Sequence, residues 1–234
     1  MKTNLLKKNA KSFYWASFFL SNDVFNKCSS LYNFCRTLDD IVDNDNKLEV
    51  KKEIFLKFKK DFLNKNPNNQ IINDMWSIIN SENISKKIVI DLFDGVETDL
   101  EEKVEINSKK DLLVYSYRVA GTVGLMMSKI LKVNNKESLR GAIDLGIAMQ
   151  LTNVARDVCE DNKRNRKYIQ SDFSSIKETI YESEIFYQKS FKAISSISIR
   201  SRFSVIVARR IYKKIGNYIL KEKNILANLL SKKF

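Results

Sequence analysis

Apolar residues return every three or four positions through most of this chain, the spacing that gathers them on one face of a helix turning ~100° per residue. The spacing predicts a helix at about 9–20 (NAKSFYWASFFL) and a second running to about Asp43, with Ser21, Asn22 and Asp23 placed to cap its start. Further helices are expected at about 47–64, ending before Asn66-Pro67, and at roughly 70–80 and 85–102. Longer ones follow at about 109–132, 136–161, 174–196 and 200–230. No alternating strand pattern, internal repeat or Gly-, Pro- or Ser-rich linker interrupts them. The reading is all-α, one helical domain over residues 1–234.

Composition sharpens this. One proline and six glycines in 234 residues suit long helices joined by few turns. Hydrophobic residues at 44% and aromatics at 11% supply a real core. There is no histidine, which removes His-based triads, His general bases and most zinc or non-haem iron sites. Cys28, Cys35 and Cys159 form no CxxC pair and no even set, so reduced thiols in a cytoplasmic setting are expected. Chemistry must then rest on carboxylates, Arg, Lys, Tyr or a bound metal.

Charge adds a second asymmetry. The chain carries +13, and residues 200 to 234 hold ten Lys or Arg against the single acid Glu222, hence +9 of that total. A helix with one buried and one solvated basic face accounts for this. A surface resting on anionic lipid headgroups accounts for it too. No nucleic-acid-binding motif is present, and no nucleic acid is expected as partner. No apolar run is long enough to span a bilayer, and the start MKTNLLKKNAKSF has no signal-peptide core.

Two polar stripes break the apolar pattern. In LYNFCRTLDDIVDND, residues 31 to 45, Tyr32, Arg36, Asp39 or Asp40, and Asp43 follow helical spacing. In LGIAMQLTNVARDVCEDNKRNRKY, residues 145 to 168, Gln150, Asn153, Asp157 and Asp161 share one face of an otherwise apolar helix. A solvated face would tolerate one such stripe, but burying carboxylates needs compensation. Two stripes facing each other would converge oxygens suited to Mg²⁺, which takes one or two carboxylates, waters and substrate phosphates. Arg36, Arg156, Lys163, Arg164 and Arg166 lie beside them and would complete an anion site. Between the stripes, VYSYRVAGTVGLMMSKIL places Gly121 and Gly124 inside a helix, for close helix approach or for room against a long apolar ligand.

These segments resemble the squalene/phytoene synthase family of head-to-head trans-prenyltransferases. Lys11-Ser12-Phe13-Tyr14 is similar to its first motif. Tyr32-Asn33-Phe34-Cys35-Arg36 with Asp39-Asp40-Ile41-Val42-Asp43 is similar to its first aspartate-rich motif, and Asp94 through Leu100 to the helix that follows. Tyr115-Ser116-Tyr117-Arg118-Val119-Ala120-Gly121-Thr122-Val123-Gly124 has the form common in phytoene synthases. Gln150 through Asp161 is similar to the second aspartate-rich motif; Ala208 through Tyr212 matches more loosely.

The resemblance implies an isoprenoid-synthase bundle with a central cavity, shorter at its C-terminal end than is usual. It implies Mg²⁺, or Mn²⁺ in its place, on Asp39, Asp40, Asp43, Asn153, Asp157 and Asp161. Tyr32, Arg36, Tyr115 and Arg118 are expected at the reacting centre. Ser12, Phe13, Val119, Gly121, Gln150, Arg156, Arg166 and Tyr212 are expected against substrate. The implied reaction joins two prenyl diphosphates 1′–1 through a cyclopropylcarbinyl diphosphate: a phytoene synthase on geranylgeranyl diphosphate, without reductant. A squalene-type synthase on farnesyl diphosphate, with NADPH in the squalene case, and a non-catalytic assembly protein are the alternatives. A head-to-tail elongase should show two Asp-Asp-x-x-Asp runs, and a terpene cyclase should lack the Tyr-Arg-Val-Ala-Gly segment. The amphiphilic substrates and the basic end imply a cytoplasmic enzyme resting on the inner face of an anionic membrane.

Overall fold

The computed structural model describes residues 20–231. The helix expected at 9–20 and the motif holding Ser12 and Phe13 lie outside these, apart from Leu20. Nine α-helices follow one another among the described residues: α1 Asn22–Asp43, α2 Leu48–Leu63, α3 Gln70–Ser81, α4 Lys86–Glu97, α5 Lys109–Ser116, α6 Thr122–Ile130, α7 Lys136–Lys163, α8 Phe173–Ile194 and α9 Ile199–Ser231.

α1 starts where its sequence allows. The Ser21 hydroxyl accepts from the Val24 amide at 3.4 Å, satisfying one of the amides a helix start leaves open. Its buried residues Cys28, Leu31, Phe34, Leu38, Ile41 and Val42 recur at three or four. They enter a core shared with α2, α3, α4 and α6, where Phe34, Phe55, Phe58, Phe62 and Phe93 pack ring to ring. Phe34 meets Phe93 edge-on at 5.8 Å between centroids, and each such pair adds about 0.5–1.5 kcal/mol beyond burial. This core fixes the buried face of α1 and so leaves its polar stripe facing the other way.

α7 is the central rod, packed against α8 along its length and also touching α6 and α9. The Asn135 side chain caps it, accepting from the Ser138 amide at 2.8 Å. At its far end Asn165, at φ 58°, takes the left-handed conformation that Asn tolerates and turns the chain away.

Two expectations need correction. The segment expected as one helix over 109–132 is interrupted at Tyr117–Gly121 by a π turn, in which the Thr122 amide bonds the Tyr117 carbonyl. Gly95 lies under this turn, where a Cβ would meet the Arg118 Cβ at 2.6 Å. A Cβ on Gly124 would run into the Ala142 carbonyl, and one on Gly146 into the Ala120 carbonyl. Gly124 and Gly146 thus serve close backbone approach of this segment onto α7. Secondly, there are strands: β1 Val104–Glu105 pairs in parallel with β2 Arg166–Lys167, Val104 opposite Arg166. Two residues each cannot display an alternating pattern, and the pairing rests on two bonds across the ladder, Val104 amide to Asn165 carbonyl at 3.0 Å and Ile106 amide to Lys167 carbonyl at 2.9 Å. β2 carries Arg166 onto the end of α1.

Candidate active site

Between α1 and α7 lies a cavity of about 1050 Å³. One wall is the polar face of α1, with Tyr32, Arg36, Asp39, Asp40 and Asp43; the other is that of α7, with Gln150, Asn153, Arg156, Asp157, Glu160 and Asp161. Asp99, Arg164, Arg166, Tyr115 and Tyr168 complete the polar lining. Val42, Val96, Val119, Val154, Ile211 and Ile215 supply the apolar part, with Tyr212 from α9 beside them. Seven carboxylates against four arginines leave this lining three charges negative, inside a chain whose total is +13.

Most of these charges are paired. Arg36 meets Asp40 at 2.6 Å. Arg156 grips Asp157 with two bonds, 2.7 and 2.6 Å. Arg164 and Arg166 both reach Asp43 Oδ1, at 3.1 and 2.7 Å. Arg166, only 8% exposed, also donates to the Val42 carbonyl at 3.0 Å and the Asp99 carbonyl at 3.3 Å. Burial alone would lower this guanidinium; Asp99, Tyr168 and Asp43 outweigh it and push it up.

Among the described residues, Asp39 and Asp161 form no ion pair. Both carboxyls are pushed up to about 7. For Asp39 the causes are loss of bulk water between the walls, then Asp43, against the pull of Arg36, although its side chain opens onto the cavity. For Asp161 they are desolvation, then Asp157, against Arg166 and Arg164. Asp99 is raised by desolvation against the opposing pull of Arg166 and the two tyrosine hydroxyls that bond it.

The donor set suits hard divalent cations. Among the described residues no three carboxyl or thiol groups meet at one point as a closed cage. A cation shared with an anion needs only one or two carboxylates from the protein. Each wall offers an unpaired carboxyl that a cation would relieve, and the Asn153 Oδ1 is buried without a hydrogen-bond partner. Arg36 Nε is likewise buried and unpartnered, a donor open to an anion.

Residues 6–175 match the family model of squalene/phytoene synthase. The chain belongs to the squalene/phytoene synthase family. Members of this family are prenyltransferases, and so is this chain. It is 25% identical to the 15-cis-phytoene synthase of Pantoea ananas over 240 residues, covering 88% of this chain and 77% of that protein. To the phytoene synthase of Rhodobacter capsulatus it is 32% identical over 173 residues, 72% of this chain and 51% of that one. In fold it resembles a solved dehydrosqualene synthase with a TM-score of 0.75 at 26% identity, covering 96% of this chain and 94% of that one. The squalene synthase HpnC of Alicyclobacillus acidocaldarius shares the fold, with a TM-score of 0.73 at 16% identity.

Of the residues singled out from the sequence, Tyr32, Arg36, Asp39, Asp40, Asp43, Tyr115, Val119, Gln150, Asn153, Arg156, Asp157, Asp161, Arg166 and Tyr212 line this one cavity. Arg118, Gly121 and Lys163 are not part of its lining. Gly121 is buried against Tyr117 and Ile143. Ser12 and Phe13 fall outside the described residues. Asp99 and Tyr168 line the cavity without having been assigned a role from sequence. Tyr168 lies two residues beyond Arg166 on β2, and its one sequence signal is that spacing.

Proposed function

We propose that the chain is a phytoene synthase, joining two geranylgeranyl diphosphates head to head with Mg²⁺. The observation that carries this is the pair of carboxylate walls, interleaved with arginines, facing each other across a cavity with an apolar side. The kinship with phytoene synthases supports the twenty-carbon substrate. The fold likeness to a dehydrosqualene synthase favours a second reading, a thirty-carbon product from farnesyl diphosphate.

Asp39, Asp43, Asn153, Asp157 and Asp161 would hold the metal. Bound Mg²⁺ supplies neutralisation of the departing diphosphate. Arg36, Arg156 and Arg164 exchange their carboxylate partners for diphosphate oxygens, which guanidinium forks match in pairs. Val96, Val119, Val154, Ile211 and Ile215 keep water from the prenyl chains while positive charge develops. Tyr32 and Tyr115 stand beside that charge. The second substrate's double bond captures it, and loss of a proton to the released diphosphate closes the cyclopropane, giving the cyclopropylcarbinyl diphosphate. This ionises again, rearranges and, without a reductant, loses a second proton to give the 1′–1 product.

The test offers geranylgeranyl and farnesyl diphosphates separately, with Mg²⁺, with and without NADPH. Phytoene from the first without reductant is the expected result. A thirty-carbon product from the second alone would replace this reading with the alternative.

Among the described residues no helix is long and apolar enough to cross a membrane. We propose peripheral contact through α9, which exposes Ile199, Phe203 and Tyr218 along with the basic Arg210, Lys214 and Lys221. Sedimentation with anionic but not neutral liposomes at low salt is expected; failure to sediment with either would end the proposal.

A further inference from the structure

Asp99, Tyr115 and Tyr168 form a closed hydrogen-bond cluster on the cavity wall. The Tyr168 hydroxyl donates to Asp99 Oδ1 at 2.5 Å. The Tyr115 hydroxyl lies 3.0 Å from Asp99 Oδ2, 3.3 Å from Oδ1 and 3.0 Å from the Tyr168 oxygen. A phenol has one hydrogen to give, and each acceptor bonded here belongs to the cluster. Both hydrogens therefore stay inside it. The rings stack at 4.7 Å between centroids, 22° from parallel, and are 7% and 6% exposed, so neither hydroxyl swings out alone. Arg166 anchors the assembly through the Asp99 carbonyl at 3.3 Å.

We propose that Asp99 is a positioning residue for the cationic stage of the reaction: it holds the hydroxyl hydrogens of Tyr115 and Tyr168 away from the cavity, so that both phenols turn oxygen lone pairs toward developing positive charge. The proposal rests on the prenyl-diphosphate reading above. Asp99 lines the same cavity, and a carboxylate there without partners would risk capturing an allylic cation. With the phenol hydrogens bonded within the cluster, part of its charge acts through their dipoles. Such dipoles are fixed before reaction and act in a water-poor site, where they are worth more than in solvent.

The test compares equilibrium binding of geranylgeranyl-trimethylammonium with that of its uncharged tert-butyl isostere, with Mg²⁺ and inorganic pyrophosphate present. Wild type should prefer the cation at least tenfold. Asp99→Asn should lose at least tenfold of that preference, about 1.4 kcal/mol, while its Mg²⁺-dependent pyrophosphate affinity stays within twofold. A purely structural Asp99 would lower both together or neither, and an unchanged preference in folded Asp99→Asn overturns the proposal. Should that variant fail to fold, Tyr168→Phe keeps the ring stack and the carboxylate; it should cost at least threefold of the preference, and no change overturns the proposal. A wild type with no Mg²⁺-dependent pyrophosphate affinity overturns the functional reading itself.

Discussion

The α1 and α7 walls carry similar side chains but neutralise them by different routes. Asp43 on α1 is held from outside its helix, by Arg164 and Arg166 arriving from the end of α7 and from β2. Asp157 on α7 is held from within, by the adjacent Arg156. Each wall keeps one further carboxyl unpaired, Asp39 and Asp161, and both are pushed up to about 7. Asp43 therefore ties the α1 wall to the end of α7 and to β2, while Asp157, like Asp40 with Arg36, finds its partner on its own helix. The paired acids set the geometry, and the unpaired ones are where a cation, as proposed, would gain most.

The largest expected effect removes a carboxylate from either wall. Asp39→Ala and Asp157→Ala should each lower turnover by on the order of 10²–10³, while melting temperature stays near wild type or rises. A large loss of stability in either would mark that wall as structural and break the symmetry of the comparison.

The next effect separates the two arginines on Asp43. Arg166→Ala strips a buried guanidinium from Asp43, Val42 and Asp99 and should destabilise by about 3 kcal/mol. Arg164→Ala removes a solvent-facing partner and should cost less than about 1 kcal/mol. Equal costs by chemical denaturation would show that β2 does not pin the α1 wall.

A further effect is in pH. Asp39 ordinarily titrates at 3.8 and is pushed up to about 7 in the fold. Between those values the folded chain keeps a proton that the unfolded chain releases, so this group's contribution falls as pH rises through that window. Without metal, Asp39→Asn should match wild type in melting temperature near pH 4 and exceed it near pH 7.5. A constant difference across the range would mean that Asp39 keeps its ordinary titration.

Much of this site was legible because helical spacing is a strong constraint. Once Phe34, Leu38 and Val42 are buried on one face of α1, the placement of Tyr32, Arg36 and Asp39 follows. The same holds for Gln150, Asn153, Asp157 and Asp161 on α7. The Asp99 cluster was not legible, because it depends on contacts between distant segments. Tyr115 and Tyr168 meet 53 residues apart through a two-residue parallel pairing whose register no periodicity announces. The role of the glycines also needed the structure. The sequence left close approach and ligand space open at Gly121 and Gly124, and it is the Ala142 carbonyl opposite Gly124 that decides for close approach. The π turn, packed over Gly95, has no signature in a pattern of apolar residues.

The most direct measurement is a calorimetric titration of the full chain with inorganic pyrophosphate, with and without Mg²⁺, repeated on Asp39→Asn and Asp157→Asn. The account predicts tight binding to wild type only when Mg²⁺ is present, and a loss of at least about tenfold, some 1.4 kcal/mol, when either wall is altered. Pyrophosphate binding that ignores Mg²⁺, or that survives both substitutions unchanged, would contradict the claim that the two walls together hold a metal-bridged diphosphate.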